Sequence, residues 1–302
     1  MAAPLVTLAM PCCDQDRYVA DALDSLFAQT YTPLQIVVCD DASTDATYAV
    51  VAERVAAYDG PHEIEVRRNE TRRGIETYNR LMDLARGEFV VIAHSDDVSL
   101  PHRVERLVEA WRRHGVSMVS SDAVIIDSNG VRLRPFADPG ETYDVSLESI
   151  SSKGWNKALL GATLAWERAV FDRFGPLSRA STAVSTDWIL PFRAGLLRGV
   201  HYVAEPLLLY RAHLQSRSHK FLHDAADPAA EHERNLGNAT AQFTYMLKTL
   251  SRFRAQPGND DARLADIERR LVRSILRWAM AWSKQRNTML AAGRRVTWTK
   301  PA

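Results

Sequence analysis

The residues best suited to chemistry are two adjacent carboxylates, Asp96 and Asp97, which follow an apolar run at 88–92 that predicts a buried strand. Carboxylates at contact distance raise each other's pKa unless a cation lies between them. Their oxygens suit a hard divalent ion such as Mg²⁺ or Mn²⁺, which can in turn bind a diphosphate. The alternative is an Asp-rich turn that caps the following helix, so the pair must be judged with its neighbours.

Asp40 and Asp41 form a second acidic pair, and they follow a second apolar run at 34–39. The carboxyl ends of parallel strands share one edge of a sheet, and open α/β proteins bind their ligands there. We therefore expect the four carboxylates to meet in one crevice. Neither the glycine-rich dinucleotide fingerprint nor the P-loop pattern follows the first strand. A nucleotide would have to be bound by acidic loops and a metal ion.

An alternation of strands and helices positions these two pairs. Four apolar strands are predicted at 5–10, 34–39, 63–67 and 88–92. Amphipathic helices are predicted at 18–27, 46–58 and 75–85, and a further helix begins at Pro101. Nearly continuous apolar strands alternating with helices predict an α/β fold, a mainly parallel central sheet with helices on both faces.

The pattern changes after residue 113. Strands are predicted at 116–121, 123–126, 200–204 and 207–210, with a hairpin turn at 127–130. Helices are predicted at 166–174 and from Thr186, and beyond Ser218 as a C-terminal helical extension broken at Pro257. We therefore divide the chain at 1–113, 114–220 and 221–302.

Composition limits the class of protein. The chain has 302 residues, 46% hydrophobic and 25% charged, with a net charge of +1, as in an ordinary globular protein and unlike a nucleic-acid binder. Residues 251–302 nevertheless carry 12 Lys/Arg against 4 Asp/Glu, which predicts a tail that meets an anionic partner.

The segment 270–286 predicts an amphipathic basic helix. One face carries Leu271, Ile275, Trp278 and Trp282, and the opposite face carries arginine and lysine. Three interpretations stay open: a helix docked on the body of the protein, peripheral contact with anionic membrane lipid, and a homodimer contact.

The cellular setting is predicted from weaker signals. Three cysteines (Cys12, Cys13 and Cys39) have neither disulfide-framework nor zinc-site spacing, which suits a reducing compartment. The start of the chain lacks the pattern of a signal peptide, and no apolar run reaches the roughly 20 residues of a membrane span. We expect a cytoplasmic protein, peripheral at most on the inner face of the cytoplasmic membrane.

Taken together, these motifs resemble the family 2 glycosyltransferases of the GT-A (Rossmann-like) fold, inverting enzymes that transfer a sugar from a nucleotide-sugar. The resemblance is carried by residues 6–14, 26–31, 37–45 and 69–89, and it thins after 110. The chain departs from the family pattern at Cys13 and Asp14, which replace Tyr and Asn. It departs again at His94, the first position of the acidic motif, and at Thr186, where the family has Glu.

The resemblance implies roles for particular residues. Residues 1–113 would be the nucleotide-sugar-binding half and 114–220 the acceptor-binding half of the domain. The implied nucleotide contacts are Asp40 and Asp41 to base and ribose, Pro11 and Cys13 in the base pocket, and Arg72 or Arg73 near base or phosphates.

The implied metal and catalytic residues come from other segments. Asp97 would bind the metal, Asp96 the ribose or the metal, and His213 would complete the contacts to metal or diphosphate. Asp187 resembles the second residue of the family's Glu-Asp pair, which would make it the general base. The alternative for Asp187 is a plain helix N-cap.

The implied activity is Mn²⁺- or Mg²⁺-dependent hexosyl or N-acetylhexosaminyl transfer in surface polysaccharide synthesis. The donor would be a nucleoside diphosphate sugar, UDP being the family's commonest, and the acceptor a glycan or a lipid-linked sugar. Two alternatives stay open. A nucleotidyltransferase should carry a basic phosphate loop near the first strand, where residues 11–17 offer only Arg17. A catalytically degenerate nucleotide-sugar or glycan-binding protein would fit the changes at His94 and Thr186.

Overall fold

The computed structural model describes residues 2–137, 140–152, 157–177, 186–213, 228–259 and 261–291. Its strands are β1 (Val6–Cys12), β2 (Leu34–Asp40), β3 (Glu63–Arg68), β4 (Phe89–Ile92), β5 (Val98–Ser99), β6 (Met118–Ile126), β7 (Arg132–Pro135), β8 (Tyr143–Val145), β9 (Ala165–Glu167) and β10 (Val200–Arg211). Its α-helices are α1 (Val19–Phe27), α2 (Thr47–Ala56), α3 (Thr77–Leu84), α4 (Arg103–His114), α5 (Leu147–Ser152), α6 (Ala169–Asp172), α7 (Thr186–Leu196), α8 (Pro228–Arg254) and α9 (Asp261–Ala291). Short 3₁₀ turns cover Gly74–Glu76, Lys157–Leu159 and Gly161–Thr163.

These strands form one sheet in the order β3-β2-β1-β4-β9-β6-β10-β5, with β7 beside β6 and β8 beside β10. The first four are parallel, and β6 is parallel to β10. Successive residues of β1 point to opposite faces, so Leu8 packs with α1, α2 and α4 while Ala9 packs on the face that carries α3 and the later helices. The predicted α/β class, with helices on both faces, is confirmed.

The first strand extends beyond its predicted end at Met10 and continues through Pro11 to Cys12. Ala9 directs its carbonyl toward β4, accepting from the backbone N–H of Ala93 at 2.9 Å. Pro11 lies two residues further on and therefore faces the same side, where pairing with β4 has already ended. Proline's missing N–H thus breaks no ladder hydrogen bond.

The predicted helix at 166–174 is wrong at its start. Ala165–Glu167 is instead strand β9, antiparallel to both β4 and β6, and only Ala169–Asp172 is helical. Trp166 is 1% exposed and pairs with Val90 on one side and Met118 on the other. A three-residue strand is too short to show a sequence period, so its conformation is set by the strands on either side.

In two places, two strands that the sequence predicted as separate form one continuous strand, β6 and β10. The break predicted at Asp122 does not occur, because its Oδ1 accepts from the backbone N–H groups of Ala123 at 2.8 Å and Ala137 at 3.1 Å. The polar side chain is therefore satisfied inside β6. The gap predicted around Pro206 is a register shift within β10. The predicted hairpin turn is confirmed between β6 and β7, with Gly130 at φ 84°.

The predicted helical extension is present, with its break between Arg254 and Asp261. Leu264 and Leu271 of α9 are buried in the same core as Met246 and Leu250 of α8. The predicted apolar face of α9 is thus docked at Leu271, while the Trp278 and Trp282 side chains lie outside the described residues. None of the described helices combines the length and apolarity needed to cross a bilayer. The three-part division of the chain stays a prediction.

One buried cation joins the two halves of the sheet. Arg103, the first residue of α4, is 0% exposed. Its Nη2 donates to the carbonyls of Ile92 at 2.9 Å and Ala162 at 2.8 Å, and its Nη1 donates to Ser99 Oγ at 2.9 Å. Burial lowers the pKa of Arg103 to about 10, so the side chain stays charged at neutral pH. The end of β4, the Gly161–Thr163 turn and β5 are therefore connected through one side chain.

We expect Arg103→Met to reduce the free energy of unfolding by about 3–5 kcal/mol, since it leaves buried acceptors without a donor and removes a buried charge. Urea denaturation measures this. Arg106→Met is the matched control on the same helix, because Arg106 is 43% exposed and pairs with Glu205 and Glu109, which should cost about 0–1 kcal/mol. Equal losses for the two variants would contradict a structural role for the buried guanidinium.

Candidate functional site

The loops after β1, β2 and β3 are tied together by backbone hydrogen bonds. The N–H of Asp41 donates to the carbonyl of Cys12 at 2.8 Å, and the N–H of Asn69 donates to the carbonyl of Asp40 at 2.8 Å. The N–H of Asp14 donates to Ser43 Oγ at 3.1 Å. The first acidic pair therefore lies at the carboxyl edge of the sheet, where the sequence predicted it.

Asp41 holds the loop after β3. Its Oδ1 accepts from Asn69 Nδ2 and from the backbone N–H of Arg73, each at 2.8 Å, and its Oδ2 accepts from the N–H of Gly74 at 2.8 Å. Burial raises the pKa of Asp41, but these hydrogen bonds outweigh burial and hold the pKa below its usual value. Asp41 is therefore an ionised carboxylate that shapes the 69–74 loop.

Asp40 is fully buried and makes its contacts inside the same loop. Its Oδ2 accepts from the backbone N–H of Ser43 at 3.1 Å and lies 3.2 Å from Arg68 Nε. Its Oδ1 accepts from the Ser43 hydroxyl. Both oxygens are thus engaged by the protein, and a nucleotide contact through Asp40 stays a prediction.

The other predicted nucleotide contacts surround this loop. Cys13 is half-buried, its Sγ donates to the carbonyl of Asp41 at 3.6 Å, and burial raises the pKa of its thiol, which keeps it neutral. Arg72 is exposed and forms an ion pair with Asp14. Pro11 is half-buried at the end of β1, and Arg73 contacts Asp41 through its backbone. The structure brings these residues together, and their contacts with a ligand stay predictions.

The second acidic pair lies in the loop after β4, and one of its buried carboxylate oxygens lacks a hydrogen-bond partner among the described residues. Asp97 is 3% exposed, and its Oδ1 accepts from the backbone N–H of Arg211 at 2.8 Å. Its buried Oδ2 has no hydrogen-bond partner within the described ranges. Burial and then the charge of Asp96 raise the pKa of Asp97 well above its usual value. Such an oxygen is costly to bury without a positively charged partner.

Asp96 and two histidines complete this cluster. Asp96 Oδ2 lies 3.0 Å from His213 Nε2. Burial raises the pKa of Asp96, and contact with His213 and His94 more than compensates, so the pKa lies below its usual value. His94 Nδ1 lies 3.8 Å from Asp97 Oδ2, and its Nε2 lies 3.2 Å from the Tyr78 hydroxyl.

The donor set of this cluster fits a divalent cation. Ligand atoms of His94, Asp96 and Asp97 all lie within 4.8 Å of one another. Two carboxylates and one imidazole suit Mn²⁺, and the unpartnered oxygen of Asp97 is the group that an ion would satisfy. His94, one of the departures from the family pattern that kept a catalytically degenerate protein as an alternative, supplies the third ligand atom of this trio. His213 contacts Asp96 and lies outside the trio.

Asp187 lies near the same edge of the sheet, where its side chain packs against a glycine. It is the second residue of α7, and its carboxylate packs so closely on Gly161 that an added Cβ there would lie 2.0 Å from Asp187 Oδ1. The turn that contains Gly161 abuts the end of β4, where the N–H of Ile92 donates to the carbonyl of Leu164 at 3.1 Å. Asp187 therefore lies inside the helix, near the strand that leads to Asp97, and its catalytic role stays a prediction.

Arg211 was not among the site residues predicted from the sequence. Its Nε donates to the carbonyl of Asp96 at 2.8 Å, its Nη2 donates to Asp21 Oδ2 at 3.3 Å, and its guanidinium lies 4.9 Å from the Tyr18 ring centre. The signal was available, since Arg211 follows an apolar run just as the acidic pairs do. Gly161 carried no such signal, because its importance depends on Asp187 packing against it.

The chain is similar to known protein sequences. The sequence model described as Glycosyl transferase family 2 matches residues 7–169, more than half of the chain. The uncharacterized glycosyltransferase alr2836 of Nostoc sp. (strain PCC 7120) is 27% identical over 201 residues, which are 65% of this chain and 61% of that protein. The match therefore spans less than two thirds of the length of this relative.

Solved structures share the fold. S. aureus TarS 1–349 in complex with UDP-GlcNAc aligns with a TM-score of 0.62 and 17% identity, covering 90% of this chain and 72% of TarS 1–349. The mannosyltransferase PcManGT from Pyrobaculum calidifontis, in complex with GDP-Man and Mn²⁺, aligns with a TM-score of 0.57 and 19% identity, covering 97% of this chain and 80% of PcManGT. The predicted GT-A fold is thereby confirmed.

Proposed function

The chain belongs to glycosyl transferase family 2, and from this membership we propose that it is an inverting glycosyltransferase that uses a nucleoside diphosphate sugar. The observation that carries the proposal is the buried Asp97 Oδ2, which lacks a hydrogen-bond partner among the described residues and lies in a cluster with Asp96 and His94. TarS with UDP-GlcNAc and PcManGT with GDP-Man and Mn²⁺ support a nucleotide-sugar donor. We propose UDP as the nucleotide.

Asp96, Asp97 and His94 would hold the Mn²⁺ or Mg²⁺ ion. When bound, such an ion neutralises the negative charge that develops on a departing diphosphate. His213 positions the Asp96 carboxylate through their contact at 3.0 Å. Arg211 positions the Asp97 carboxylate through its backbone N–H and the Asp96 backbone carbonyl through its guanidinium. The Asp41 loop would receive the base and ribose beside this cluster.

Asp187 would act as the general base. Its carboxylate accepts the proton of the acceptor hydroxyl while the hydroxyl oxygen forms a bond to the anomeric carbon. The bond from that carbon to the diphosphate oxygen breaks on the opposite face, and the diphosphate leaves with the electron pair. One displacement inverts the anomeric configuration. Gly161 leaves the space in which the Asp187 carboxylate lies.

The acceptor is proposed to be a glycan or a lipid-linked sugar in surface polysaccharide synthesis. A membrane-bound acceptor is favoured by an exposed stripe on α9: Val272, Leu276 and Met280 are 42%, 57% and 65% exposed and recur every four residues. Exposed Arg273 and Arg277 flank this stripe. Apolar side chains between basic ones suit the surface of an anionic membrane, and we place this contact at the inner face of the cytoplasmic membrane.

The donor site is tested by the stability of the protein in a panel of nucleoside diphosphates, with and without Mn²⁺. One nucleotide at 100 times its Kd should add about 2.7 kcal/mol to the free energy of unfolding, and only with the metal. Asp97→Asn should abolish this gain, whereas Asp172→Asn, an exposed carboxylate on α6, should leave it unchanged. A gain that survives in Asp97→Asn would refute the assignment of the cluster.

The general base is tested by Asp187→Asn. Turnover should fall by about 10²–10⁴-fold while the Kd for the nucleotide stays within twofold, because the variant loses proton acceptance and keeps its shape. Gly161→Ala should also lower turnover, since its Cβ would displace the carboxylate. Unchanged turnover in Asp187→Asn would exclude Asp187 as the general base. A parent protein that binds nucleotide and transfers no sugar would favour the binding-protein alternative.

The membrane contact is tested by flotation with vesicles of phosphatidylglycerol or phosphatidylcholine. We expect binding only to the anionic vesicles, and at least a fivefold loss of the bound fraction in the double variant Leu276→Asp, Met280→Asp. Leu133→Asp, at a position 58% exposed on β7, is the matched control. Unchanged flotation of the double variant, or loss of a dimer in place of vesicle binding, would contradict the proposal and favour the homodimer.

A further inference from the structure

A second cluster of metal-ligating side chains lies far from the proposed donor site. His114 ends α4, Asp144 lies in β8 and His201 is the second residue of β10. Asp144 and His201 are directly opposite each other in the antiparallel ladder. Arg211, which contacts the acidic cluster, is at the other end of β10, about 30 Å along the strand at ~3.3 Å per residue.

The three side chains are already in contact. Asp144 Oδ1 lies 2.6 Å from His201 Nδ1, and the His114 and His201 rings stack with centroids 3.6 Å apart and planes 18° from parallel. One ligand atom from each residue lies within 4.8 Å of the other two. The stacked rings direct their in-plane lone pairs along nearly parallel planes, so the exposed His114 ring would turn out of the stack to bring all three ligand atoms onto one ion.

Burial divides the cluster into one fixed and two adjustable ligands. His201 is 3% exposed, and its buried Nε2 has no hydrogen-bond partner in the part of the chain that the structure describes. The two ring nitrogens direct their lone pairs to different sides of the ring, so an ion shared with Asp144 would bind His201 through Nδ1, which already faces that carboxylate. His114 and Asp144 are exposed, so their side chains can turn without disturbing the core.

We propose that His114, Asp144 and His201 bind a first-row transition-metal ion, with Zn²⁺ as the best match. Two imidazoles and one carboxylate are ligands that zinc uses, whereas Mg²⁺ and Ca²⁺ prefer oxygen. Three protein ligands leave one position for water. The ion would connect the end of α4 to β8 and β10, away from the proposed reaction. The site does not depend on the proposed function.

The test uses the full chain without an affinity tag, freed of metal with a chelator and titrated with Zn²⁺ by calorimetry. Because the acidic cluster can also take up Zn²⁺, the titration is made in Asp97→Asn, where one site is expected, with its Kd weakened at least tenfold by adding His114→Ala or Asp144→Asn. Both residues are exposed, so these variants should fold. The thermal midpoint should rise with Zn²⁺ in Asp97→Asn and not when His114→Ala or Asp144→Asn is added to it.

Two controls separate this site from others. His102→Ala removes a histidine that is 43% exposed elsewhere on the surface, and it should leave the zinc Kd unchanged. Asp97→Asn disables the acidic cluster, and zinc binding should survive it. The proposal is overturned if Zn²⁺ binds Asp97→Asn equally well after His114→Ala or Asp144→Asn is added, if binding is lost in Asp97→Asn, or if the parent protein binds no Zn²⁺.

Discussion

The arrangement of the site depends on the buried guanidinium of Arg103 beneath it. Asp97 and Arg103 are both almost inaccessible to water, and each shifts the other's pKa toward its charged form against the effect of burial. Arg103 also binds the carbonyls of Ile92 and Ala162, which lie at the end of β4 and in the turn beneath Asp187. The acidic loop and the proposed general base are therefore positioned by the same cation.

The two acidic pairs have similar sequences and different physical roles. Asp40 and Asp41 accept hydrogen bonds from the protein on all four carboxylate oxygens, so they determine the shape of the loops around them. Asp97 has one satisfied oxygen and one oxygen without a hydrogen-bond partner among the described residues. Ligand binding is expected where the protein leaves a buried polar atom unsatisfied, and this criterion distinguishes the pairs where composition does not.

Strand β10 links two clusters with different ligand chemistry. At its end, Arg211 contacts both residues of the acidic pair, and His213 follows it beside Asp96. At its beginning, His201 faces Asp144 and stacks on His114. The first cluster is rich in carboxylates and suits Mn²⁺ or Mg²⁺, while the second is rich in imidazoles and suits Zn²⁺. The separation along the strand allows the two sets to bind different ions.

The sequence by itself determined the α/β class, the positions of both acidic pairs at strand ends and the start of the helix that carries Asp187. These features follow from local periodicity and from the residue types at strand and helix ends. Both signals can be read from a short stretch of consecutive residues. Only the tertiary structure decided that Ala165–Glu167 is a strand in the middle of the sheet. It also decided that His94 joins the metal-ligating trio, that Arg211 contacts Asp97, and that Gly161 makes room for Asp187. The contacts of β9, Arg211 and Gly161 join residues far apart in the chain, and their energies come from pairing, burial and charge across that separation. A window of neighbouring residues does not show which distant residue each of them contacts.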